Sequence, residues 1–486
     1  MSARITVVGD ILLDRDLIGT VERVCPDAPV PVLDVVEEVA RPGGAGLAAA
    51  LLSADGHDVT LVAAVCDDLA GHRLHALLSG LGIRLVGLAS DGATREKVRL
   101  RTGEQSLLRL DSGRSRPPAG QLPTTAIRAL AEADAVLVSD YAGGVTRHVG
   151  LRRQLSAAAA RRPLVWDPHV RGEVPVEGVR LVTPNRAEAT VLSGAAGPSG
   201  GAGLSGGEIA GWSVLAEAHR QADLLADTWQ AQAVVVTLGD RGALLSYGSG
   251  PPLVVPALAS VVGDTCGAGD RFAASVTAQL AVDEVVSDAV RTAVRDASEF
   301  VAAGGATAFA QRGRDNRTDG RADDPADDSV PAAQASTGWQ RVEQVRERGG
   351  TVVATGGCFD LLHAGHITLL RAARGLGDCL VVCLNSDSSV RRLKGVERPL
   401  VPEVDRARVL EALECVDAVL IFAEDTPAQA LRQLRPHIWA KGGDYALADL
   451  PEAGVLAEWE GQAVVLPYLD GRSTTRLIGA ARALVP

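Results

Sequence analysis

The sequence predicts an α/β fold in two successive domains, a larger one on a mainly parallel sheet and a smaller, Rossmann-like one. Short runs of β-branched and aliphatic residues alternate with stretches rich in Ala, Leu and Arg, and most runs end in Gly, Asp or Asn. This alternation is typical of βαβ units, in which ligands bind at the carboxyl ends of parallel strands. One segment with almost no large apolar residues, 311–336, interrupts the alternation.

That segment is rich in Asp, Arg, Ala, Pro and Gly, a composition that cannot bury a core and predicts a flexible linker over 312–338. The linker separates a first domain at 1–311 from a second at 339–486. The Gly-rich stretch 193–207 is expected to be a surface insertion. We expect strands at 5–10, 59–65, 135–140, 163–167, 181–185 and 233–239 in the first domain, and at 351–357, 379–387, 418–422, 438–444 and 463–468 in the second.

Composition argues against several classes of protein. The chain has 486 residues, of which 47% are apolar and 22% charged, as in folded globular proteins. A net charge of −12 argues against a nucleic-acid partner, because phosphate contacts need a basic surface, and no apolar run is long enough for a membrane span. The chain begins with a strand pattern rather than a signal peptide, and its seven cysteines include no CxxC pair. We therefore expect reduced thiols and a cytoplasmic enzyme.

Lysine is rare, since only Lys97, Lys394 and Lys441 accompany 45 arginines. A bias that replaces Lys by Arg preserves lysine where a compact, flexible ammonium group is needed. Chance can explain why any one of these three lysines remains, but all three lie within the motifs described below. They are therefore candidate binding residues.

The densest motif of the first domain is DTCGAGD at 264–270, which precedes an Ala-rich helical pattern. Small residues before a helix leave backbone N–H groups open to an anion at the positive end of the helix. A carboxylate in the same turn, here Asp270, can accept the proton of an attacking hydroxyl while those N–H groups stabilise a moving phosphoryl group. Taken alone, the motif also fits an ordinary capped helix start.

The DTCGAGD motif resembles the signature of the ribokinase-like sugar kinases, and two further motifs agree with it in order and spacing. The resemblance implies that Asp270 is the catalytic base, that ATP is a substrate, and that Glu188 of the motif NRAE acts indirectly on Mg²⁺. The motif TLGDRG at 237–242 resembles the nucleotide-binding strand and turn of the same family. The implied ATP-binding residues are Asn185, Glu188, Thr237, Gly239, Gly242, Gly267, Ala268 and Gly269.

The opening of the chain, up to RPGGAG at 41–46, closely resembles that of heptose 7-phosphate kinases. Carboxylates there suit a polyol, because each accepts several hydroxyl hydrogen bonds, and cations further along suit a sugar that already carries a phosphate. The alternatives are a solvated loop for the carboxylates and a surface ion-pair network for the cations. The implied sugar-phosphate residues are Asp10, Asp14, Gly43, Gly44, Lys97, Arg99 and Arg109.

Two positions depart from the family pattern. Leu47 stands where the family usually has an Asn that can hydrogen-bond the sugar, and Arg271 replaces the small hydroxyl residue that usually follows the base. Neither change removes a phosphoryl-transfer residue. They leave the exact sugar and the rate open.

In the second domain the densest motif is TGGCFDLLHAGH at 355–366. Its glycines allow close approach of a nucleotide, and His363 and His366 share one face at a helix start. There the imidazoles can donate to phosphate oxygens as charge builds at an α-phosphate. A metal site with Cys358 lacks a suitable fourth ligand, and the flanking Gly, Asp and Phe argue against core histidines.

This HxGH motif resembles that of the cytidylyltransferase-like nucleotidyltransferases, and the later motifs of the domain match that family in order. The resemblance implies that His363 and His366 are catalytic and that Lys and Arg neutralise the triphosphate and the leaving pyrophosphate. Asp387 and Asp444 also fit solvated loop carboxylates. The implied nucleotide-binding residues are Gly356, Gly357, Phe359, Asp360, Asn385, Asp387, Lys394, Arg398, Lys441, Asp444, Ser473, Thr474 and Thr475.

The pairing of the two domains resembles the bifunctional heptose 7-phosphate kinase / heptose 1-phosphate adenylyltransferase family. It implies phosphorylation of D-glycero-β-D-manno-heptose 7-phosphate at O1 and, after a separate phosphatase has acted, adenylyl transfer that gives ADP-heptose and pyrophosphate. Small-molecule sugar phosphates and ATP are the expected partners, in a homodimer. The alternatives are a kinase for another sugar phosphate fused to a CDP- or GDP-forming transferase, and a non-catalytic kinase-like scaffold with only the second domain active.

Overall fold

A computed structural model describes residues 2–28, 30–103, 105–194, 212–257, 263–312, 338–443 and 450–467. Contacts between Cα atoms divide the chain into two units, 1–195 with 224–240 and 257–320, and 196–223 with 241–256 and 321–486. Five predicted features fall outside the described residues: most of the Gly-rich insertion, the interior of the linker, Asp444, the expected strand end at 468, and the triad Ser473, Thr474 and Thr475.

The first unit is built on parallel strands in the spatial order β11-β10-β9-β8-β1-β4-β5. Every pairing between these neighbours is parallel, which confirms the predicted sheet. Val7 and Val8 of the central strand are fully buried, as expected for a strand covered on both faces. The strands are β1 (Arg4–Gly9), β4 (Asp58–Val65), β5 (Arg84–Ala89), β8 (Ala135–Ser139), β9 (Leu164–Asp167), β10 (Leu181–Val182) and β11 (Val234–Thr237).

A second, four-stranded sheet belongs to the same unit and was not predicted from the sequence. Its order is β3-β2-β6-β7, with β2 and β6 parallel and both outer pairings antiparallel. One end of β2 and β3 joins the main body at Ile11 and Gly44. The strands are β2 (Ile11–Val24), β3 (Pro31–Gly44), β6 (Glu96–Thr102) and β7 (Gln105–Ser112).

Nine helices lie among the described residues that precede the predicted linker. Helix α7 begins within the DTCGAGD motif. Its sequence AGDRFAASVTAQL buries Phe272 and Val276 on one side, and no proline interrupts it. The helices are α1 (Ala45–Ala54), α2 (Leu69–Gly80), α3 (Thr124–Glu132), α4 (Val149–Ala159), α5 (Arg186–Leu192), α6 (Trp212–Trp229), α7 (Ala268–Leu280), α8 (Val286–Ala302) and α9 (Gly305–Arg312).

The second unit has a parallel sheet in the order β16-β15-β14-β17-β18, extended by β13 and then by antiparallel β12. Cys379 and Cys383 are buried free thiols on β15, as the sequence indicated. The bounds are β12 (Ala243–Ser246), β13 (Leu253–Val255), β14 (Val352–Gly357), β15 (Cys379–Asn385), β16 (Ala418–Phe422), β17 (Ile438–Gly442) and β18 (Gln462–Leu466); the helices are α10 (Gly338–Glu347), α11 (Ala364–Arg374), α12 (Asp387–Lys394), α13 (Glu403–Glu411), α14 (Ala428–Leu434) and α15 (Glu452–Leu456).

Each strand predicted from the sequence is found within a few residues of its expected bounds. The predicted linker 312–338 begins at the last residue of α9 and ends at the first residue of α10. Its interior is outside the described residues, so the linker and the domain bounds remain predictions.

Candidate active sites

The DTCGAGD motif forms the start of helix α7. Gly267 precedes the helix with φ 82°, a left-handed conformation that favours glycine. A Cβ atom there would also lie 2.8 Å from Leu47 Cδ2. No side chain caps this helix, and the Ala268 amide donates to the Thr265 carbonyl oxygen at 3.1 Å, so the amides of Gly269 and Asp270 are the ones open to a ligand. The geometry is that of an anion cradle.

Asp270 lies in the first turn of α7 and is buried, with 7% of its surface exposed. Tyr141 Oη donates to both carboxylate oxygens, at 2.9 and 3.0 Å. Burial raises the pKa of Asp270 to about 7, against the lowering effects of the Tyr141 hydrogen bond and the Lys97 charge. A carboxylate with this pKa is suited to act as a general base near neutral pH.

Asp10 follows β1 and is buried among backbone N–H groups. Its Oδ2 accepts hydrogen bonds from the amides of Tyr141 and Gly143 at 3.0 and 2.7 Å, and its Oδ1 accepts from Val145 at 3.0 Å. Burial raises the pKa of Asp10 above its ordinary value although these three amides act against the rise. The side chain therefore fixes the turn that carries Tyr141, and its contact with sugar stays a prediction.

Asp14 on β2 lies in a buried network of charges. Arg99 on β6 pairs with Asp14 at 2.6 Å and approaches Asp16 at 3.6 Å, and Arg41 pairs with Asp16 at 2.6 Å. The carboxylates occupy Arg99, which leaves its guanidinium less available to a phosphate. Arg99 and Asp14, two predicted sugar-phosphate residues, are thus brought together by the structure.

Lys97 lies beside Asp14 in the register of β2 and β6. In the stretches that the structure describes, its ammonium makes no hydrogen bond or ion pair, yet its charge acts on Asp270. Arg109 differs, because it lies on the exposed outer strand β7 and pairs with Asp111 at 3.0 Å. Of these two cations, only Lys97 is among the charges that act on Asp270 within the described residues.

The diglycine lies where β3 meets α1. A Cβ on Gly43 would lie 3.0 Å from Asp14 Oδ2, and one on Gly44 would lie 2.6 Å from the Asp10 carbonyl oxygen. Gly44 also has φ 61°. A larger residue at Gly43 would press on the Asp14 carboxylate, and one at Gly44 would press on the backbone of Asp10, so both positions favour glycine.

The motif NRAE forms the start of α5. Asn185 Oδ1 accepts from the Glu188 amide at 3.0 Å and Glu188 Oε2 accepts from the Asn185 amide at 2.9 Å, a reciprocal capping box. Thr237 lies beside Asn185 at the end of β11, and Gly239 and Gly242 follow it in the chain with φ 66° and 90°. The structure thus joins two of the three predicted ATP motifs at one edge of the sheet.

Asp167, at the end of β9, was not predicted. Its Oδ1 accepts from Thr183 Oγ1 at 2.8 Å. Burial, then the charges of Asp270 and Glu188, raise the pKa of Asp167 well above its ordinary value. The three carboxyl groups are therefore close enough to interact electrostatically; the sequence signal was the position of Asp167 at a strand end.

The two departures from the family pattern have different surroundings. Leu47, on α1, is buried and contacts Gly267 at the anion cradle. Arg271 pairs instead with Asp55 at 2.5 Å and with Asp296 at 3.5 Å. Arg271 therefore anchors α7, whereas Leu47 lies beside Gly267, which precedes α7.

In the second unit, His363 and His366 stack at the start of α11 with ring centroids 3.8 Å apart. The ring of Phe359 lies 5.2 Å from that of His366. Burial, then the charges of His363 and Lys394, lower the pKa of His366 to about 4. His366 is therefore neutral at pH 7 and can donate one N–H to a phosphate oxygen.

The glycines before these histidines lie against aromatic rings. A Cβ on Gly356 would lie 2.5 Å from Trp439 Cη2, and one on Gly357 would lie 3.2 Å from Phe359 Cε2. Asp360 is buried and accepts hydrogen bonds from Arg398 and from two backbone amides of 400–401. Burial acts to raise the pKa of Asp360, but these donors outweigh it and hold the pKa below its ordinary value.

Arg406 is a buried arginine on α13 that the sequence analysis missed. It donates to the carbonyl oxygens of Cys358, Asn385 and Val401 and to Asp387 Oδ1, the last at 2.7 Å. One guanidinium thereby links the HxGH loop to two predicted nucleotide-binding residues, Asn385 and Asp387. No spacing in the sequence marks Arg406 among 45 arginines.

Two lysines complete the described part of this site. Lys394 Nζ lies 2.9 Å from Cys358 Sγ in the HxGH loop. Lys441 Nζ lies 3.3 Å from Glu452 Oε1. The structure therefore brings Lys394 to the histidine motif, and Lys441 has a carboxylate partner; Asp444 and Ser473–Thr475 lie outside the described residues.

Comparison with known proteins identifies the family. The family model of the pfkB family carbohydrate kinases matches residues 2–312, and the cytidylyltransferase-like model matches 354–467. A solved carbohydrate kinase from Agrobacterium tumefaciens aligns with 64% of this chain and 94% of its own at 20% identity, with a TM-score of 0.48.

The chain is 52% identical to the bifunctional protein HldE of Streptomyces coelicolor, over 98% of this chain and 96% of that protein. It is 36% identical to the bifunctional protein HldE of Caulobacter vibrioides over the same shares. The chain belongs to the HldE family. HldE membership confirms the recognised pairing of a carbohydrate kinase with a nucleotidyltransferase, the fold class and the prediction of a bifunctional enzyme. Within the described residues, no helix is long and apolar enough to cross a membrane.

Proposed function

We propose that the first part of the chain phosphorylates D-glycero-β-D-manno-heptose 7-phosphate at O1 with ATP, and that the second part joins heptose 1-phosphate to the adenylyl group of ATP. The products are the 1,7-bisphosphate with ADP, and ADP-heptose with pyrophosphate. The observation that carries the kinase is the buried Asp270 carboxylate beside the open start of α7. Membership of the HldE family supports the pairing of the two reactions.

In the kinase reaction, the O1 hydroxyl gives its proton to Asp270 while its oxygen attacks the γ-phosphorus of ATP, and ADP leaves. The N–H groups at the start of α7 stabilise the transferring phosphoryl group. Asp270 has a pKa of about 7, so about half of its carboxyl groups are ionised at neutral pH. A pKa close to the working pH suits a general base.

Lys97 is the cation that supports a substrate already carrying a phosphate. Arg99 is engaged by Asp14 and Asp16, whereas Lys97 has no ion-pair partner in the described chain. An ammonium without a carboxylate is free to pair with a phosphate. Leu47 lies beside the start of α7, where the family usually has an Asn whose side chain can hydrogen-bond the sugar. An apolar contact would replace that hydrogen bond, so the test includes other sugar phosphates.

The residues around Asp270 fit Mg²⁺, which prefers oxygen ligands and bridges phosphates to few carboxylates. Burial and the charges of Asp270 and Glu188 raise the pKa of Asp167, so a nearby cation would favour its ionised form. No group of three or more His, Cys, Asp or Glu side chains in the described residues is arranged to hold a metal ion by itself, which fits an ion held mainly by the phosphates of ATP. Asp167 and Glu188 would hold the ion indirectly, with the phosphates of ATP. When bound, Mg²⁺ neutralises charge on the transferring phosphates.

In the transferase reaction, an oxygen of the sugar 1-phosphate attacks the α-phosphorus of ATP in line, and pyrophosphate leaves. Neutral His366 and its stacked neighbour His363 donate to phosphate oxygens at the positive end of α11. Lys394, adjacent to the same loop, supplies positive charge. No covalent intermediate with the protein is required.

We also propose a cytoplasmic homodimer that binds no nucleic acid. The sheet of β3, β2, β6 and β7 exposes apolar side chains on both outer strands, among them Val36 at 76% and Leu108 at 52%. Exposed apolar edge strands favour pairing with another chain. All seven cysteines are free thiols, as a reducing compartment favours.

The test uses the purified full chain with ATP, Mg²⁺ and heptose 7-phosphate, beside fructose 6-phosphate and ribose, with products identified by mass spectrometry. The expected product is a heptose bisphosphate, absent with Asp270→Asn. Heptose 1-phosphate is then offered ATP, CTP and GTP, and ADP-heptose is expected. Turnover of another sugar phosphate, or of CTP or GTP, would replace the assigned substrates. Loss of only the kinase reaction would support the scaffold alternative.

A further inference from the structure

The turn after β8 connects two carboxylates that the sequence analysis treated separately. Asp10 accepts hydrogen bonds from three amides of this turn, those of Tyr141, Gly143 and Val145. A Cβ on Gly143 would lie 2.6 Å from Asp10 Oδ1, so the turn packs directly on the carboxylate. Asp10 therefore determines where the backbone of Tyr141 lies.

Two further side chains, Asp140 and Arg95, hold the same turn through three hydrogen bonds. Asp140 Oδ1 accepts from the Ala142 amide at 2.8 Å, and its Oδ2 accepts from Thr146 Oγ1 at 2.8 Å. Arg95 Nη1 donates to the Tyr141 carbonyl oxygen at 3.0 Å. The tyrosine thus projects from a backbone that is restrained on both sides, although it lies in a loop.

We propose that Tyr141 is the positioning residue of the Asp270 base, and that Asp10 acts on the base through Tyr141. The proposal rests on the proposed kinase reaction. The phenol lies almost equally far from both oxygens of Asp270, so its single O–H is shared between them and restrains the carboxylate. It also favours the ionised carboxylate, because a hydrogen bond donated to a charged group stabilises that charge.

A packing role for the Tyr141 ring is the competing explanation, and the two make different predictions for Tyr141→Phe. Phenylalanine retains the ring and removes only the O–H. If the ring only fills space, the pH at which the base titrates stays unchanged. If the O–H stabilises the ionised carboxylate, its removal makes Asp270 lose its proton less readily, and the titration of Asp270 moves to higher pH.

The first experiment measures the pH dependence of kcat/KM for the kinase reaction in wild type, Tyr141→Phe and the control Tyr247→Phe. We expect the acid limb of Tyr141→Phe to move up by about one pH unit, with a loss of roughly tenfold at pH 6 that diminishes toward pH 9. The limb of Tyr247→Phe should coincide with wild type. An unmoved limb in Tyr141→Phe would overturn the proposal, even if kcat fell.

The second experiment needs no substrate and separates the proposal from the proposed function. The difference in melting temperature between Asp270→Asn and its parent is followed against pH, once in wild type and once in Tyr141→Phe. The pH at which this difference changes reports the titration of Asp270. A shift to higher pH in the Tyr141→Phe background supports the proposal even if heptose 7-phosphate is not turned over, whereas identical curves contradict it.

Discussion

At the scale of single residues, Asp270 makes the stability of the protein depend on pH, because its carboxyl is buried and its pKa is raised to about 7. An unfolded chain releases this proton near pH 4, so between about pH 4 and 7 the folded state binds more protons. Stability therefore falls as the pH rises across that window. Asp270→Asn removes the ionising group, so we expect it to raise the melting temperature by about 2–4 °C at pH 8 and by much less at pH 5.

Scanning calorimetry at the two pH values measures the effect, and Asp283→Asn is the matched control. Asp283 is exposed and has φ 62°, which asparagine also adopts readily. Its substitution should leave the difference between the two pH values unchanged. A melting temperature of Asp270→Asn that exceeds wild type equally at both pH values would contradict the assigned titration.

Arg406 provides a second prediction for a single residue, since its guanidinium donates to four acceptors around the transferase site. Lysine keeps the charge but replaces the planar fork with one nitrogen. We expect Arg406→Lys to lower adenylyltransferase activity about 10–100-fold while the kinase activity of the same protein is unchanged. Arg408→Lys, on the same helix but with its side chain 75% exposed, is the control. Retention of half the transferase activity by Arg406→Lys would refute the positioning role.

The residues missed by the sequence analysis share a physical cause. Tyr141 meets Asp270 across 129 positions of sequence, and Arg406 meets Cys358 across 48, so no local spacing reveals either contact. Asp270, His363 and His366 could be proposed from the sequence because each lies within a short motif with glycines at a helix start, where an anion can bind. Asp10 was predicted as a sugar residue, but three long-range backbone contacts, invisible in sequence, define its surroundings.

At the scale of elements, the capping box of α5 allows two roles of Asn185 to be separated. Asn185→Ser retains an oxygen that caps the helix, whereas Asn185→Ala removes it and should cost about 1 kcal/mol in unfolding free energy. We expect both variants to raise the KM for ATP in the kinase reaction, and only the alanine variant to lower the melting temperature. Unchanged kinetics in a fully stable Asn185→Ser protein would restrict Asn185 to capping.

The parallel strands were predictable because each is a short apolar run that ends in Gly, Asp or Asn. The four-stranded sheet was not, because its strands mix charged with apolar residues, and only β7 is exposed along its whole length. In β6, the side chains of Lys97, Arg99 and Arg101 fall on one face in place of the usual apolar row. Such strands are specified by pairing with Asp14 and Asp16 on β2 rather than by burial.

At the scale of the whole molecule, the exposed outer strands predict the oligomeric state. Leu108→Arg with Leu110→Arg places two charges on β7, where the two leucines are 52% and 48% exposed. If β7 lies in a dimer interface, we expect the mass measured by light scattering to fall to that of one 50.3 kDa chain. Leu69→Arg, on α2 and 85% exposed, should leave the mass unchanged. A wild-type protein that is monomeric would rule out the dimer outright.

The different acidities of the two sites give the protein a property that neither site has alone. Asp270 titrates near pH 7, whereas His366, with its pKa of about 4, keeps its protonation state across the neutral range. If Asp270 is the base of the kinase reaction and His366 acts in the transferase reaction, a fall from about pH 7.5 to 6 is expected to slow the first reaction more than the second. The ratio of the two activities, kinase over transferase, measured on one protein preparation, should therefore fall as the pH is lowered through this range.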